Sequence, residues 1–186
     1  TAQQHSTSRS HGYRRNVEGR VAFFVPSDVT ITVGGTYEKE HENSANASGA
    51  VGAPTTQTDA FDASRHNVAY YSEVLGNLTE RFSYTIAGRV DDNSDYRRFA
   101  TYRLGANAAL IPALRVRASL GTAFNAPAFN QLRATLFTVG SPNLRPEQIR
   151  SAEIGLATDI HPEIFRLSAG YFNQKFSDLI QFAAGL

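Results

Sequence analysis

Residues 91–95 read Asp91-Asp92-Asn93-Ser94-Asp95, oxygen donors at alternate positions as in a calcium-binding loop. Tyr96 stands where that loop needs its tight-turn glycine, and Tyr102 where it needs a bidentate glutamate. An Asx-rich hairpin turn is the better account. Glu38, Glu40, His41 and Glu42 bring three carboxylates and an imidazole together and could gather a cation at a rim. A solvated strand end is the better account of them. Arg97 and Arg98 beside one loop, and Arg133 with Asn130 and Gln131 in another, suit an anionic ligand, although surface loops carry arginines in any case. His66 and His161 read as rim or turn residues and receive no role. No Walker loop, G-x-G-x-x-G, H-E-x-x-H or G-x-S-x-G phrase occurs, so no catalytic residue, no resident cofactor and no metal centre is expected.

Composition narrows the setting for those residues. The chain has 186 residues, 41% hydrophobic and 19% charged, with no cysteine and a net charge of +1. Neither that charge nor any Lys/Arg-rich run favours nucleic acid. No run approaches the roughly 20 apolar residues of a membrane helix. A membrane β-strand escapes that test, because it needs only about 9 to 11 residues with every second one apolar. The chain starts at Thr1 without a signal-peptide pattern, which suggests a mature, trimmed or partial chain.

The elements that must position the polar residues show a period of two. From Arg115 to Phe124, Val116, Ala118, Leu120, Thr122 and Phe124 share one face, while Arg115, Arg117, Ser119, Gly121 and Ala123 share the other. Phe82 to Asp91 repeats the pattern, as do Tyr13 to Phe24 and the stretch from Val29 to Glu38. Arg15 alone breaks the apolar side of the first. Weaker strands are expected at about 66–75, 97–110, 150–158 and 165–176, eight in all. Connections near Pro26-Ser27-Asp28, Leu75-Gly76-Asn77-Leu78, Ile111-Pro112-Ala113 and Asp159-Ile160-His161-Pro162 are short. Those at about 41–64 and 125–148 are long, and the first, rich in Ala, Ser, Gly and Thr, is expected to be mobile. Short turns on one side and long loops on the other suit an outer-membrane barrel. A soluble antiparallel sandwich alternates equally well, with its apolar face turned to a core.

Four phrases in order carry a family resemblance over about residues 115–182. Gly121-Thr122-Ala123-Phe124-Asn125-Ala126-Pro127 resembles the G-T-x-F-x-A-P phrase of TonB-dependent outer-membrane receptors, and Gln131-Leu132 falls where those receptors often carry a similar pair. Ser141-Pro142-Asn143-Leu144-Arg145-Pro146-Glu147 resembles their N-P-x-L-x-P-E, followed by Ser151-Ala152-Glu153-Ile154-Gly155 for S-x-E-x-G. Tyr171-Phe172-Asn173 and Ser177-Asp178-Leu179-Ile180 are similar to their Y-F-x-x-x-x-x-D-L-I. Arg89-Val90-Asp91-Asp92 with Thr101-Tyr102-Arg103 resembles the vitamin B12 transporter branch.

The resemblance implies an all-β fold, a transmembrane antiparallel β-barrel in which this chain supplies about eight of about 22 strands. Residues 1–186 would be a partial barrel domain, with the plug domain and the closing strands absent. By the same resemblance the whole protein imports a scarce, bulky small-molecule ligand: a metal–siderophore chelate, haem or cobalamin. It would sit among lipid in the outer membrane of a Gram-negative bacterium and engage TonB through the plug. Arg89, Arg115 and Arg117 would face that plug from the lumen. Asn125, Asn130, Gln131, Arg133 and Arg97 are the candidate ligand-binding residues, since loops on a rigid barrel carry recognition. Two other readings remain: a complete eight-stranded outer-membrane barrel serving as an anchor or small enzyme, and a soluble β-sandwich binding module.

Overall fold

Eight strands form one antiparallel sheet whose spatial order is the order of the chain. They are β1 (Gln4–Val25), β2 (Val29–Ala50), β3 (Gln57–Thr79), β4 (Phe82–Asn93), β5 (Arg97–Ile111), β6 (Leu114–Asn125), β7 (Glu147–His161) and β8 (Phe165–Ser177), with one helical turn, α1 (Phe129–Leu132), between β6 and β7. The computed structural model describes residues 4–26, 28–52, 55, 57–135, 139–161 and 165–181.

Register sorts the side chains into two faces. On one, Ile31, Val74, Ile86, Leu104 and Leu120 stand opposite one another across five strands. Val17, Val33, Tyr70, Val90, Tyr102, Ile154, Leu156 and Tyr171 extend that apolar face, and all of them are exposed. On the other face Arg14, Glu40 and Arg65 form one cross-strand row, Asn16, Glu38, Asn67 and Asn93 the next, and Glu18, Thr36, Ala69 and Asp91 a third. The sheet curls toward this polar face, since residues as distant in strand order as Asn77 of β3 and Gly170 of β8 line one hollow of about 500 Å3. A water-soluble sandwich would cover its apolar face with a second sheet. Here that face is bare, and among the described residues the buried apolar side chains are Ala63, Ala69, Pro127, Phe129 and Pro146. An uncovered apolar band opposite a polar concave face is what lipid outside and water inside select.

The sheet is open among the described residues: β1 and β8 are its two edges and do not pair with each other. That departs from the complete eight-stranded barrel, in which first and last strands must join. Open backbone edges have no partners in hydrocarbon, so in a bilayer both edges require further strands.

Small residues let long ones lie flat on the wall. The Tyr71 ring crosses Gly34, where a Cβ would come within about 3 Å of the ring and of Gly19 O, and its hydroxyl donates to Glu18. On the outer face the Tyr84 ring covers Gly76 in the same way.

The first long loop is a correction. The expected mobile segment 41–64 is mostly strand: β2 continues to Ala50, β3 begins at Gln57, and Glu42 to Ser48 pair in register with Ala63 to Gln57. Ala, Ser, Asn and Gly have low strand propensity and break the apolar alternation, but ladder pairing with β1 on the other side holds them extended. At about 3.3 Å per residue, the 22 residues of β2 reach about 70 Å, far more than a hydrocarbon core of about 30 Å requires. The sheet therefore projects well beyond any bilayer at its loop-bearing end.

Candidate functional site at the loop-bearing rim

Three polar rows build the inner wall below the long connection 126–146. Glu40, only 8% exposed, is gripped by Arg14 from β1 and Arg65 from β3, its neighbours in the row. Asp91, 2% exposed, accepts from Arg89 Nη2 at 2.8 Å and from Asn67 Nδ2 at 2.7 Å, and Arg89 also reaches Thr36 Oγ1 at 3.3 Å. These buried charges are each matched by an opposite charge or an amide, as burial requires. Glu40 is thus no solvated strand end, contrary to that expectation. His41 points to the other face, 3.5 Å from Asp62 and stacked on Tyr13, while Glu42 accepts from Ser10. The four candidate cation ligands do not converge, since His41 leaves the face that Glu38, Glu40 and Glu42 share, and no cluster able to hold a metal occurs among the described residues. The calcium-like stretch diverges too. Asp91 and Asp92 face opposite ways, Asp92 pairs with Arg98 at 3.0 Å, and Asn93 Oδ1 accepts the Asp95 N–H at 3.0 Å, the Asx turn that the sequence favours.

The motif phrases meet at this rim. Thr122 Oγ1 accepts the Tyr102 N–H at 3.1 Å, stitching β6 to β5 where their backbone register ends. Phe124 packs with Tyr96 and Phe99 at centroid separations of 5.8 and 5.2 Å. Burial in this trio pushes the Tyr96 phenol up to about 12, so it remains a neutral hydroxyl. Pro127 and Pro146, which bracket the connection, are fully buried. Pro127 O accepts from Arg65 Nη1 at 2.6 Å, so the chain leaving β6 turns inward and lands on β3. A cavity of about 170 Å3 lies between this landing point and the polar rows, walled by Tyr96, Phe124 and Ala126 on the loop side.

Glu147 ties the other end. Its carboxylate accepts from Asn125 Nδ2 at 3.0 Å and from the Ile180 N–H at 2.9 Å, joining the end of β6, the start of β7 and the segment after β8. Gln148 Nε2 adds a bond of 3.1 Å to Asp178, whose φ of 56 turns the chain back after β8. The Asn125 amide first, and the Ile180 N–H after it, hold the Glu147 carboxyl below its ordinary value of 4.5. Because the folded-state value is the lower one, the clamp contributes fully above the ordinary value and is lost as the pH falls through the lowered one. The chain has no cysteine, so a spin label on a single cysteine at exposed Asn143 reports on this segment alone. Its mobility is expected to rise as the pH falls below the ordinary carboxyl value of 4.5, and Glu147→Gln is expected to abolish that acid step.

The candidate ligand residues fall into two groups. Asn125 and Gln131 hold the loop: Asn125 through Glu147, and Gln131 through its Oε1, which accepts the Ala128 N–H at 2.7 Å. Asn130 and Arg133 flank them on and just after α1 and are exposed. Arg97 is the first residue of β5, with φ 66, and follows Tyr96, whose ring packs on Phe124. Of the apolar loop residues, Phe129 is 6% exposed and packs the loop down, Val139 is 90% exposed, and Leu136 and Phe137 lie outside the described residues. Arg89, Arg115 and Arg117, the three expected to face a plug, share the polar face, each with a carboxylate of its own sheet: Arg89 with Asp91, Arg115 with Asp159, and Arg117 with Glu153 at 2.9 Å. Gly155 leaves the space over which Arg117 lies to reach Glu153. Sequence reasoning missed Arg14, Glu40 as an inner-wall residue, and Arg65. The register row that unites them was readable only once the 41–64 segment was known to be strand.

The TonB dependent receptor-like β-barrel model matches residues 1–186, the whole chain. The chain belongs to that family. The vitamin B12 transporter BtuB of Vibrio vulnificus is 27% identical to this TonB-dependent receptor barrel over 155 residues, 83% of the chain but 23% of the transporter. BtuB of Photobacterium profundum is 32% identical over 102 residues, 55% of the chain and 16% of that protein. The chain thus spans about a quarter or less of the curated relatives it matches. The siderophore receptor PirA of Acinetobacter baumannii superposes with a TM-score of 0.71 over 92% of this chain and 28% of its own, at 16% identity, a likeness of fold alone. Receptor barrels of this family are transporters or receptors, and the open eight-stranded sheet fits as a sector of such a barrel.

Proposed function

We propose that the chain is the ligand-gathering sector of an outer-membrane importer in a Gram-negative bacterium, and that its cargo is cobalamin. The observation that carries this is the 27% identity to a vitamin B12 transporter across 83% of the chain. The apolar outer face then meets lipid, and the extension of β1–β3 beyond the bilayer lies outside the cell with the long 126–146 connection. In this reading Asn130, Arg133 and Arg97 contact ligand, while Asn125 and Gln131 hold the loop that presents them. The hollow of about 500 Å3 lined by Arg115 and Arg117 receives a plug supplied outside this segment, and TonB acts on that plug. Arg89, Arg115 and Arg117 already hold carboxylates of the wall, and the N–H donors left on each fork are those available to the plug.

Equilibrium binding to the purified full-length receptor tests the reading. Saturable binding of cyanocobalamin is expected, weakened by about tenfold or more in Arg133→Glu. Binding of haem or a ferric siderophore in place of cyanocobalamin would overturn the cargo and keep the importer. Failure to bind any of the three would overturn both.

A further inference from the structure

Arg65 makes three contacts with one planar guanidinium. Its Nε donates to Glu40, its Nη1 donates to Pro127 O at 2.6 Å, and its face lies 4.7 Å from the centroid of the Phe129 ring. The first contact belongs to the barrel wall, and the other two belong to the connection after β6. Pro127 and Phe129 are both buried, so the connection is pressed onto the wall rather than hung above it. From that landing point order passes along the loop. The N–H groups of Leu132 and Arg133 donate to Ala128 O and Phe129 O at 3.3 and 3.0 Å, and the Ser141 N–H donates to Gln131 O at 2.8 Å, which draws in the returning limb. Gly140 has φ +61 and packs so close to the Arg133 carbonyl that a Cβ there would overlap it.

We infer that Arg65 is the positioning residue of this receptor's ligand loop: a latch on the inner wall that fixes where Asn130 and Arg133 are presented. The inference rests on the reading that this loop contacts ligand, but the latch itself has a readout independent of ligand. Lysine at position 65 keeps a charge for Glu40, but a single ammonium lacks the fork that reaches Pro127 O while stacking on Phe129. Arg65→Lys therefore separates the wall from the loop. Phe129→Ala attacks the same latch from the loop side and leaves the Arg14–Glu40–Arg65 row intact.

Amide hydrogen exchange on the full-length receptor in detergent, read at Gln131, Leu132 and Arg133, is the test. In both variants exchange at these amides is expected to rise by about tenfold or more, while strand amides of β2 and β3 keep their protection and the denaturant midpoint stays near the parent's. Cyanocobalamin affinity is expected to fall in parallel, because a loop that samples undocked states presents its binding geometry for a smaller fraction of the time. Unchanged exchange at these three amides in both variants overturns the latch. Raised exchange with unchanged cyanocobalamin affinity supports the latch and overturns the reading of the loop as the ligand contact.

Discussion

Replacing Glu40 with alanine is expected to lower the stability of the barrel by about 3 kcal/mol, measured as the denaturant midpoint of the full-length receptor in detergent. The magnitude follows from which charges the substitution leaves behind. Glu40 stands between Arg14 and Arg65 in one register row. Arg14 has a side chain 64% exposed and can turn its guanidinium to water once the carboxylate has gone. Arg65, 11% exposed and covered by Pro127 and Phe129, has no such route. Its charge would stay buried with a carbonyl and a ring as partners, and that uncompensated charge is the main cost. Arg14→Ala, by contrast, is expected to cost at most about 1 kcal/mol, as for an exposed ion pair. Removing both buried partners, as Glu40→Leu with Arg65→Met, is expected to recover most of the loss, because no orphaned charge then remains. A Glu40→Ala loss no larger than that of Arg14→Ala would show that water reaches Arg65.

What the sequence made legible and what it hid follow one physical line. All eight strands were readable from their period of two wherever one face is apolar, because lipid on one side and water on the other write that alternation directly. The loop-end half of β2 and β3 was not readable. Beyond the bilayer both faces meet polar surroundings, so Ser44, Ala45, Asn46, Ala47 and Ser48 carry no alternation, and only pairing to two neighbours keeps them extended. The site divides the same way. Asn125, Gln131, Pro127 and Glu147 were visible as members of family phrases, and the structure supplies their physical roles as loop supports. Arg14, Glu40 and Arg65 belong to no phrase. They are brought together by register across three strands, which depends on hairpin geometry rather than on any local signal.

Leu104→Arg is expected to cost about 2 to 4 kcal/mol in a bilayer, whereas Arg103→Leu, one position earlier, is expected to stay within about 0.5 kcal/mol. The contrast turns on strand parity alone. Leu104 sits mid-way along β5, in the outer row with Ile86 on one side and Leu120 on the other, and is 41% exposed with no protein over it. At that depth an arginine must leave its charge in hydrocarbon or bend its stem toward a headgroup, and both are costly. Arg103 projects to the concave face between Ala87 and Gly121, where its charge meets water and neighbouring wall groups, so a leucine there removes little. Unfolding of the receptor reconstituted in lipid vesicles gives both numbers. Because a slip of one residue in register would exchange the two faces, the sign of the difference also tests the β4–β5–β6 pairing itself. A large cost at Arg103 with none at Leu104 would mean that the polar row faces lipid, and the inner wall built on Glu40, Arg65 and Asp91 would have to be redrawn.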